Sequence, residues 1–302
     1  MKSEDFDNYY SPQFFKQVAI DFKPDSGVIW VCMKPLGGAC ITPALLRELR
    51  RYQQGLVRWG GKYTSGNNFF PVEYQVTTSG FKDIFSYGGD LELFLHAIID
   101  NDRDALLKYG SSCVDVVYAN ATHYDLPITT ISLVCGDALG GGLEGALSSS
   151  IVIAERGVKM GFPEIMFNLF PGMGAYNFLC MRVTPSIAKK IITSGQVYTS
   201  EEFYDMGIVD LLADKDKGVE VVNSFIKKHR RNRNGYCAFD MASQQVYPVS
   251  YESLTNIVKI WVDAAMRLTS KDLKIMERLA KAQVQRGLVN TDRVNHLPIL
   301  TV

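Results

Sequence analysis

The sequence predicts an α/β core that passes into a helical C-terminal part, and three observations carry that prediction. Strand-like and helix-like periodicities alternate over about the first 200 residues, the pattern of a layered α/β core. Residues 128–135 carry no charge and are rich in β-branched side chains, which suits a strand covered on both faces. From about residue 185 the pattern turns mostly helical.

The elements follow in order. Residues 17–23 roughly alternate polar and apolar, like a half-buried strand. Pro24-Asp-Ser-Gly27 is a turn signal, and residues 28–33 read as the partner strand of a hairpin. Thr42-Pro43, followed by Leu45, Leu46, Leu49, Tyr52, Leu56 and Val57, predicts a capped amphipathic helix. Residues 71–78 alternate again. A helix is expected from near Asp90, with Leu91, Phe94, Leu95 and Ile98 on its apolar face. The run 104–118 is expected to begin as helix and end as strand. Residues 151–154 form a short strand like that at 128–135. Helices are expected at 185–193, 200–206 and 217–228. Longer ones at 251–268 and 270–285 have Ile257, Ile260, Trp261, Ala264, Ala265, Leu268, Leu273, Met276 and Leu279 on their apolar faces. No Gly/Ser linker divides the chain, so a core of residues 1–215 and a helical region of 216–302 are read as one fold unit. The helical region is placed to cover a neighbouring subunit or to close a pocket.

Composition narrows the function classes. At 47% hydrophobic and 21% charged residues, the chain of 302 buries a sizeable core. Its 32 basic and 32 acidic residues cancel, which argues against nucleic acid as a partner. No apolar run reaches the ~18 residues of a membrane span. The acidic, polar residues 1–10 are no signal peptide, and a cytoplasmic protein is expected. Six scattered cysteines without a CxxC pair read as buried free thiols in a reducing compartment. Four isolated histidines give no metal-ligand spacing, and no cofactor is expected.

Chemistry concentrates in Gly136-Asp-Ala-Leu-Gly-Gly-Gly-Leu-Glu-Gly145. Three consecutive glycines after a buried strand let a backbone approach a ligand closely and leave N–H groups free. A helix begins near Leu143, and its N-terminus adds positive potential. Together these suit an oxyanion site, in which N–H donors stabilise charge building on a carbonyl oxygen. Gly140-x-Gly142-x-x-Gly145 also fits the dinucleotide pattern GxGxxG. Ser148-Ser-Ser150 cuts the following helix to roughly two turns, too short for a dinucleotide-binding crossover of about 30 residues. A tight strand-to-helix turn without chemistry is the plain alternative. Phe85-Ser-Tyr-Gly-Gly-Asp90 again sets glycines before a helix and offers a second N–H donor, or simply a turn.

Two carboxylates complete the set. Glu144 stands on the first turn after the glycines, and Glu164 follows Phe162-Pro163. Desolvated in such apolar surroundings, either would have a raised pKa and exchange protons near neutral pH. The competing readings are a helix-terminal carboxylate for Glu144 and a surface glutamate for Glu164. Asp90 and Asp137 suit capping or turn roles better. GxSxG, a nucleophilic-cysteine signature and GxxxxGK[ST] are all missing from the sequence.

At these residues the chain resembles the crotonase (enoyl-CoA hydratase/isomerase) superfamily. Ser86-Tyr-Gly-Gly-Asp-Leu91 resembles its first oxyanion segment, and Gly136 to Glu144 its GxxxGGGxE segment. Gly161-Phe-Pro-Glu164 resembles the element that carries the second family acid, and Pro171-Gly-Met-Gly174 the turn that follows. Residues 188–195 and 198–209 look like the family's usual helix pair. The run from Phe162 to Tyr176 and Ile260-Trp-Val-Asp-Ala-Ala-Met266 further resemble the diffusible-signal-factor synthases of the RpfF type.

That resemblance implies a spiral of ββα units with a helical C-terminal trimerisation region. It implies Gly89 and Gly141 as oxyanion donors and Glu144 and Glu164 as the acid/base pair; the sequence leaves the order of the two open, with Glu164 favoured as base and Glu144 as acid. Gly88, Leu143, Phe170, Met173, Trp261 and Leu279 are expected to bind substrate, Trp261 and Leu279 because they look like subfamily pocket positions. The implied reaction dehydrates a 3-hydroxyacyl chain on acyl carrier protein and then hydrolyses the thioester, releasing a cis-2-unsaturated signal acid; the alternatives are an ordinary enoyl-CoA hydratase or isomerase acting on CoA thioesters, and a non-catalytic protein of the same fold that binds a regulator. The implied partners are the carrier protein, which the basic run Lys227-Lys-His-Arg-Arg231 with Arg233 could meet, and a sensor-kinase receiver domain.

Overall fold

A computed structural model of the chain describes residues 14–65 and 68–290. The opening residues 1–10, expected to carry no leader, lie outside them. β1 (Val18–Lys23) turns through Pro24–Ser26 into β2 (Val28–Met33), its antiparallel partner. α1 (Pro43–Arg58) is capped by the Thr42 hydroxyl, which accepts from the Leu45 N–H at 3.1 Å. A small hairpin of β3 (Lys62–Ser65) and β4 (Asn68–Pro71) follows.

Next come β5 (Tyr74–Ser79), β6 (Ile84–Ser86), α2 (Leu91–Ile99) and α3 (Arg103–Ala121). The chain continues through β7 (Thr129–Val134), β8 (Asp137–Leu139) and α4 (Gly141–Leu147). A third unit runs β9 (Ile151–Glu155), β10 (Lys159–Gly161), α5 (Ala175–Cys180) and α6 (Pro185–Ser194). β11 (Val197–Thr199), α7 (Ser200–Asp205) and β12 (Leu211–Ala213) complete the core. The helical part comprises α8 (Gly218–His229), α9 (Arg233–Val246), α10 (Tyr251–Ala265) and α11 (Ser270–Asn290).

Each ββα unit gives one strand to each of two sheets. The larger has the order β1-β2-β5-β7-β9-β12 and is parallel from β2 onward. The smaller has the order β11-β10-β8-β6, with β6, β8 and β10 parallel. The chain therefore leaves three neighbouring parallel strands at the same edge, at Tyr87, Gly140 and Phe162. Carboxyl ends of parallel strands are where α/β layers bind ligands, and this topology gathers both glycine segments and Glu164.

Two expectations are corrected. The run 104–118 does not end as strand: α3 is helical throughout, with Leu106, Tyr109, Gly110, Cys113, Val114, Val117 and Ala121 buried. That spacing is helical, and packing on both sides overrides the β preference of its valines. Residues 71–78 do not form one alternating strand. β4 ends at Pro71, and β5 is buried on both faces except at Thr77. Helix α9 had no counterpart among the expected elements and buries none of its residues. In the helical part, α8 packs Val222 and Ile226 against Ile131, Leu133 and Ile153 of the large sheet. α10 sets Leu254, Val258 and Trp261 among Phe94, Tyr109 and Cys113.

Candidate active site

The first glycine segment leaves β6 and enters α2. Gly88 takes φ +86°, a left-handed conformation that side-chain-bearing residues avoid. Its carbonyl accepts from the Ile41 N–H at 2.8 Å. A trans peptide directs its C=O and N–H oppositely, so this bond turns the Gly89 N–H the other way. Asp90 caps α2 by accepting from Leu93 N–H at 3.0 Å, the capping role expected of it.

The second segment leaves β8. Gly140 also has a positive φ, +52°. Its carbonyl accepts from the N–H groups of Leu143 and Glu144, at 2.9 and 3.0 Å. By the same trans geometry the Gly141 N–H, at the first turn of α4, points away from the helix. A Cβ built on Gly141 would stand 3.4 Å from the Gly89 nitrogen, and one on Gly88 would stand 3.0 Å from the Gly141 nitrogen. The two amides are thus neighbours, and neither donates to another group among the described residues.

Both acids reach this place. Glu144 is 1% exposed, and its Oε1 accepts from Met173 N–H at 2.8 Å and Ala175 N–H at 2.9 Å. Burial pushes its carboxyl up to about 7, while those two N–H donors, which favour the ionised form, hold it down. Glu164 lies in the 3-10 segment Pro163–Phe167 that follows β10. Its Oε1 rests against Gly140, where a Cβ would stand 2.4 Å away, and its Oε2 is buried without a hydrogen-bond partner. Burial first, and then the charge of Glu144, push its carboxyl up to about 8.

One cavity of about 200 Å³ is lined by Gly88, Gly89, Gly141, Glu144 and Glu164 together with Met173, Trp261 and Leu279. Trp261 meets Phe94 edge to face at 5.0 Å, as Phe94 meets Tyr109. Leu143 and Phe170 do not line it. Leu143 is fully buried in the core with Val134 and Ala146. The cavity face of α4 carries Gly141, Glu144 and Gly145, and Leu143 is turned about 100° from Glu144. Phe170 packs against the helical cluster instead.

Other lining residues went unforeseen. Tyr52, Gln53, Gln75, Asn120, Tyr124 and Ser148 line the same cavity, as does Gln283. Gln75 and Asn120 stand at core-facing positions where a polar side chain is unusual, the one local signal that could have flagged them. Gln283 falls on the face of α11 that carries Met276, Leu279 and Ala280, and its Nε2 donates to the carbonyls of Tyr87 and Gly89, each at 2.9 Å.

Away from the cavity, Arg230 and Arg233 of the basic run pair with Glu73. His229 is buried and bonds the Tyr74 hydroxyl at 3.0 Å. Lys227, Lys228 and Arg231 remain exposed. Among the described residues no three His, Cys, Asp or Glu side chains are grouped so as to hold a metal ion, and no helix is long and apolar enough to cross a membrane.

Residues 73–246 match the family model described as enoyl-CoA hydratase/isomerase. The fold is similar to that of an enoyl-CoA hydratase from Bacillus halodurans, with TM-score 0.71 and 20% identity over 87% of this chain and 100% of that one. It is similar to an enoyl-CoA hydratase from Bacillus anthracis, with TM-score 0.64 and 19% identity over 89% and 98%. It is also similar to Pseudomonas aeruginosa DspI, with TM-score 0.61 and 21% identity over 89% and 96%.

Proposed function

The chain belongs to the enoyl-CoA hydratase/isomerase family, and from that premise we propose that it dehydrates 3-hydroxyacyl thioesters and then hydrolyses the thioester, releasing a cis-2-unsaturated fatty acid of the diffusible-signal class. The observation that carries the reading is the meeting of two proton-exchanging carboxyls, Glu144 and Glu164, with the Gly89 and Gly141 amides in one largely apolar cavity. The resemblance of residues 162–176 and 260–266 to the signal synthases supports the choice of product.

The thioester oxygen lies between the Gly89 and Gly141 N–H groups, which stabilise the charge that develops when C2 loses its proton. Glu144 takes that proton. The C2–H electron pair becomes the C2=C3 double bond, the C3–O bond breaks, and Glu164 protonates the departing hydroxyl as water. This order reverses the one favoured from sequence, which left the assignment open. Two N–H donors favour the ionised form of Glu144, whereas Glu164 has an unpartnered oxygen and a charged neighbour and so keeps its proton. In the second half-reaction the now ionised Glu164 takes a proton from water as its oxygen bonds to the thioester carbon, the same amides hold the tetrahedral oxyanion, and the C–S bond breaks as Glu144 returns its proton to the departing carrier thiolate.

The substrate is carried on acyl carrier protein in the cytoplasm, with the exposed Lys227, Lys228 and Arg231 as a landing for its acidic surface. A homotrimer built through the helical C-terminal region, and inhibition by a sensor-kinase receiver domain, belong to the same reading.

Incubation with a 3-hydroxyacyl carrier protein, followed by mass spectrometry, tests it. A free cis-2-enoic acid is expected. A trans-2-enoyl thioester that stays on the carrier, or turnover of CoA esters alone, marks an ordinary hydratase and overturns the proposal.

A further inference from the structure

The cavity does not end at the acids. Three helices flank it as staves, each with one end at the oxyanion loops and the other at a common far wall. Along α4 the lining runs from Gly141 and Gly142 through Glu144 and Gly145 to its C-cap Ser148, with Gly141, Glu144, Gly145 and Ser148 on one helical face. From 141 to 148, at about 1.5 Å rise per residue, is roughly 10 Å. On α3, Tyr109 stands at the near end, where its hydroxyl donates to the Ile41 carbonyl at 2.7 Å, and Asn120 stands at the far end. On α1 the lining runs from Leu46 to Gln53. Between the two ends the lining is apolar, with Leu49, Val116 and Val117.

The far wall is polar and closed upon itself. The hydroxyls of Tyr52 and Tyr124 both donate to Gln75 Oε1, the first at 3.0 Å. Gln75 Nε2 donates to Asn120 Oδ1 at 3.0 Å, and Asn120 Nδ2 donates to Ser148 Oγ at 2.9 Å. Gln53 Nε2 donates to the Val116 carbonyl at 2.9 Å. The backbone that presents Tyr124 is strained: His123, Tyr124 and Asp125 have φ of +54°, +60° and +54°, three consecutive left-handed residues without a glycine. Ser150 Oγ braces the turn against His123 Nε2 at 2.6 Å. Strain of this kind persists where the surrounding structure over-determines it, and it gathers at functional sites.

We propose that this wall is the end stop of the acyl channel, so that Gln53 and the hydrogen-bonded set beside it determine the length of tail accepted. The proposal rests on the reading of the cavity as an acyl-thioester site. A tail held at the oxyanion amides lies along α4 until its methyl end meets Tyr52, Gln53 and Tyr124. One more methylene has to break into the bonds that join Tyr52, Gln75, Tyr124, Asn120 and Ser148, and buried polar groups left unpaired are costly. A span of roughly 10–16 Å, with single C–C bonds of about 1.5 Å laid in a zigzag, takes a straight tail on the order of ten carbons. The ligand class is medium-chain, unsubstituted at its far end.

The test measures dissociation constants for straight-chain acyl-pantetheine thioesters lengthened one carbon pair at a time, on the wild type, Gln53→Ala and Val117→Phe. Gln53 suits truncation because its Oε1 already lacks a partner. Gln53→Ala is expected to move the optimum to a longer tail, with binding of the next longer thioester rising about tenfold or more. Val117→Phe is expected to move it to a shorter one. Folded variants that keep the wild-type optimum overturn the proposal, as does a wild type that binds all lengths equally. A wild type that binds no acyl-pantetheine overturns the reading of the site and this proposal with it.

Discussion

Gln283 and Gly89 are 194 residues apart in sequence, yet the Gln283 side-chain amide donates to the Gly89 carbonyl at 2.9 Å. The same nitrogen holds the Tyr87 carbonyl. With Ile41 N–H on the Gly88 carbonyl, three successive carbonyls of the first glycine segment are tied. The aim of the Gly89 N–H is therefore fixed partly by α11. Gln283→Leu keeps the size of the side chain and removes its donors, leaving two carbonyls to find other partners. The expected outcome is a fall in kcat of about tenfold to a hundredfold, smaller than loss of a whole oxyanion donor, with KM little changed. Steady-state kinetics check it, and a rise in KM alone would mean that Gln283 contacts substrate rather than aiming the loop.

The two acids should give a bell-shaped pH profile. The proposed mechanism needs Glu144 ionised and Glu164 protonated, and their carboxyls stand at about 7 and about 8. kcat/KM is expected to rise as pH passes the lower value and to fall as it passes the higher, with both limbs belonging to the pair rather than to either residue. Glu144→Gln and Glu164→Gln should each lower kcat by about 10²–10⁴-fold. A flat profile from pH 6 to about 9 would remove the carboxyls from the chemistry.

The same raised carboxyl bears on stability. Burial raises Glu164 from 4.5 to about 8 in the folded chain. A carboxyl raised on folding binds its proton more tightly when folded. The stability it allows is therefore whole below 4.5, falls as pH climbs toward 8, and stays reduced above. Glutamine cannot ionise and escapes this loss. Glu164→Gln is expected to melt about 3–5 °C above the wild type near pH 9 and level with it near pH 4. Melting curves at the two pH values check it, and equal melting temperatures at both would contradict an enclosed Glu164.

What was legible in the sequence is what is local. Gly88, Gly89, Gly141, Glu144 and Glu164 each sit within a few residues of the end of a small-sheet strand. Strand, turn and helix signals therefore betrayed them, and parallel pairing of β6, β8 and β10 brings them together. The far wall of the cavity was not legible, because Gln53, Gln75 and Tyr124 come from α1, β5 and a turn after α3. Gln53 and Tyr124 read alone as ordinary residues, Gln75 stands out only as a polar side chain in a buried strand, and only long-range packing joins the three. Leu143 misled for the converse reason: beside Glu144 in sequence, it is turned by helical geometry off the cavity face and into the core. The basic run misled in part, since Arg230 and Arg233 serve Glu73.

Gly88 offers a test in which strain and chemistry come apart. Alanine there meets two obstacles. At φ +86° its backbone is left-handed, which costs a side-chain-bearing residue about 1–2 kcal/mol. Its Cβ would also stand 2.9 Å from the Leu139 carbonyl oxygen and 3.0 Å from the Gly141 nitrogen, a wedge between the two glycine segments. Gly37 is the matched control, because it has φ +87° with nothing within 4 Å of a built Cβ. Gly37→Ala should therefore show the backbone cost alone: a melting temperature lower by about 2–6 °C and wild-type kcat. Gly88→Ala should show at least that loss, together with a fall in kcat of about 10²–10³-fold as the amides are forced apart. If both variants keep wild-type kcat, the closeness of Gly88 to Gly141 carries no catalytic meaning, and the Gly89 and Gly141 amides are not the donors.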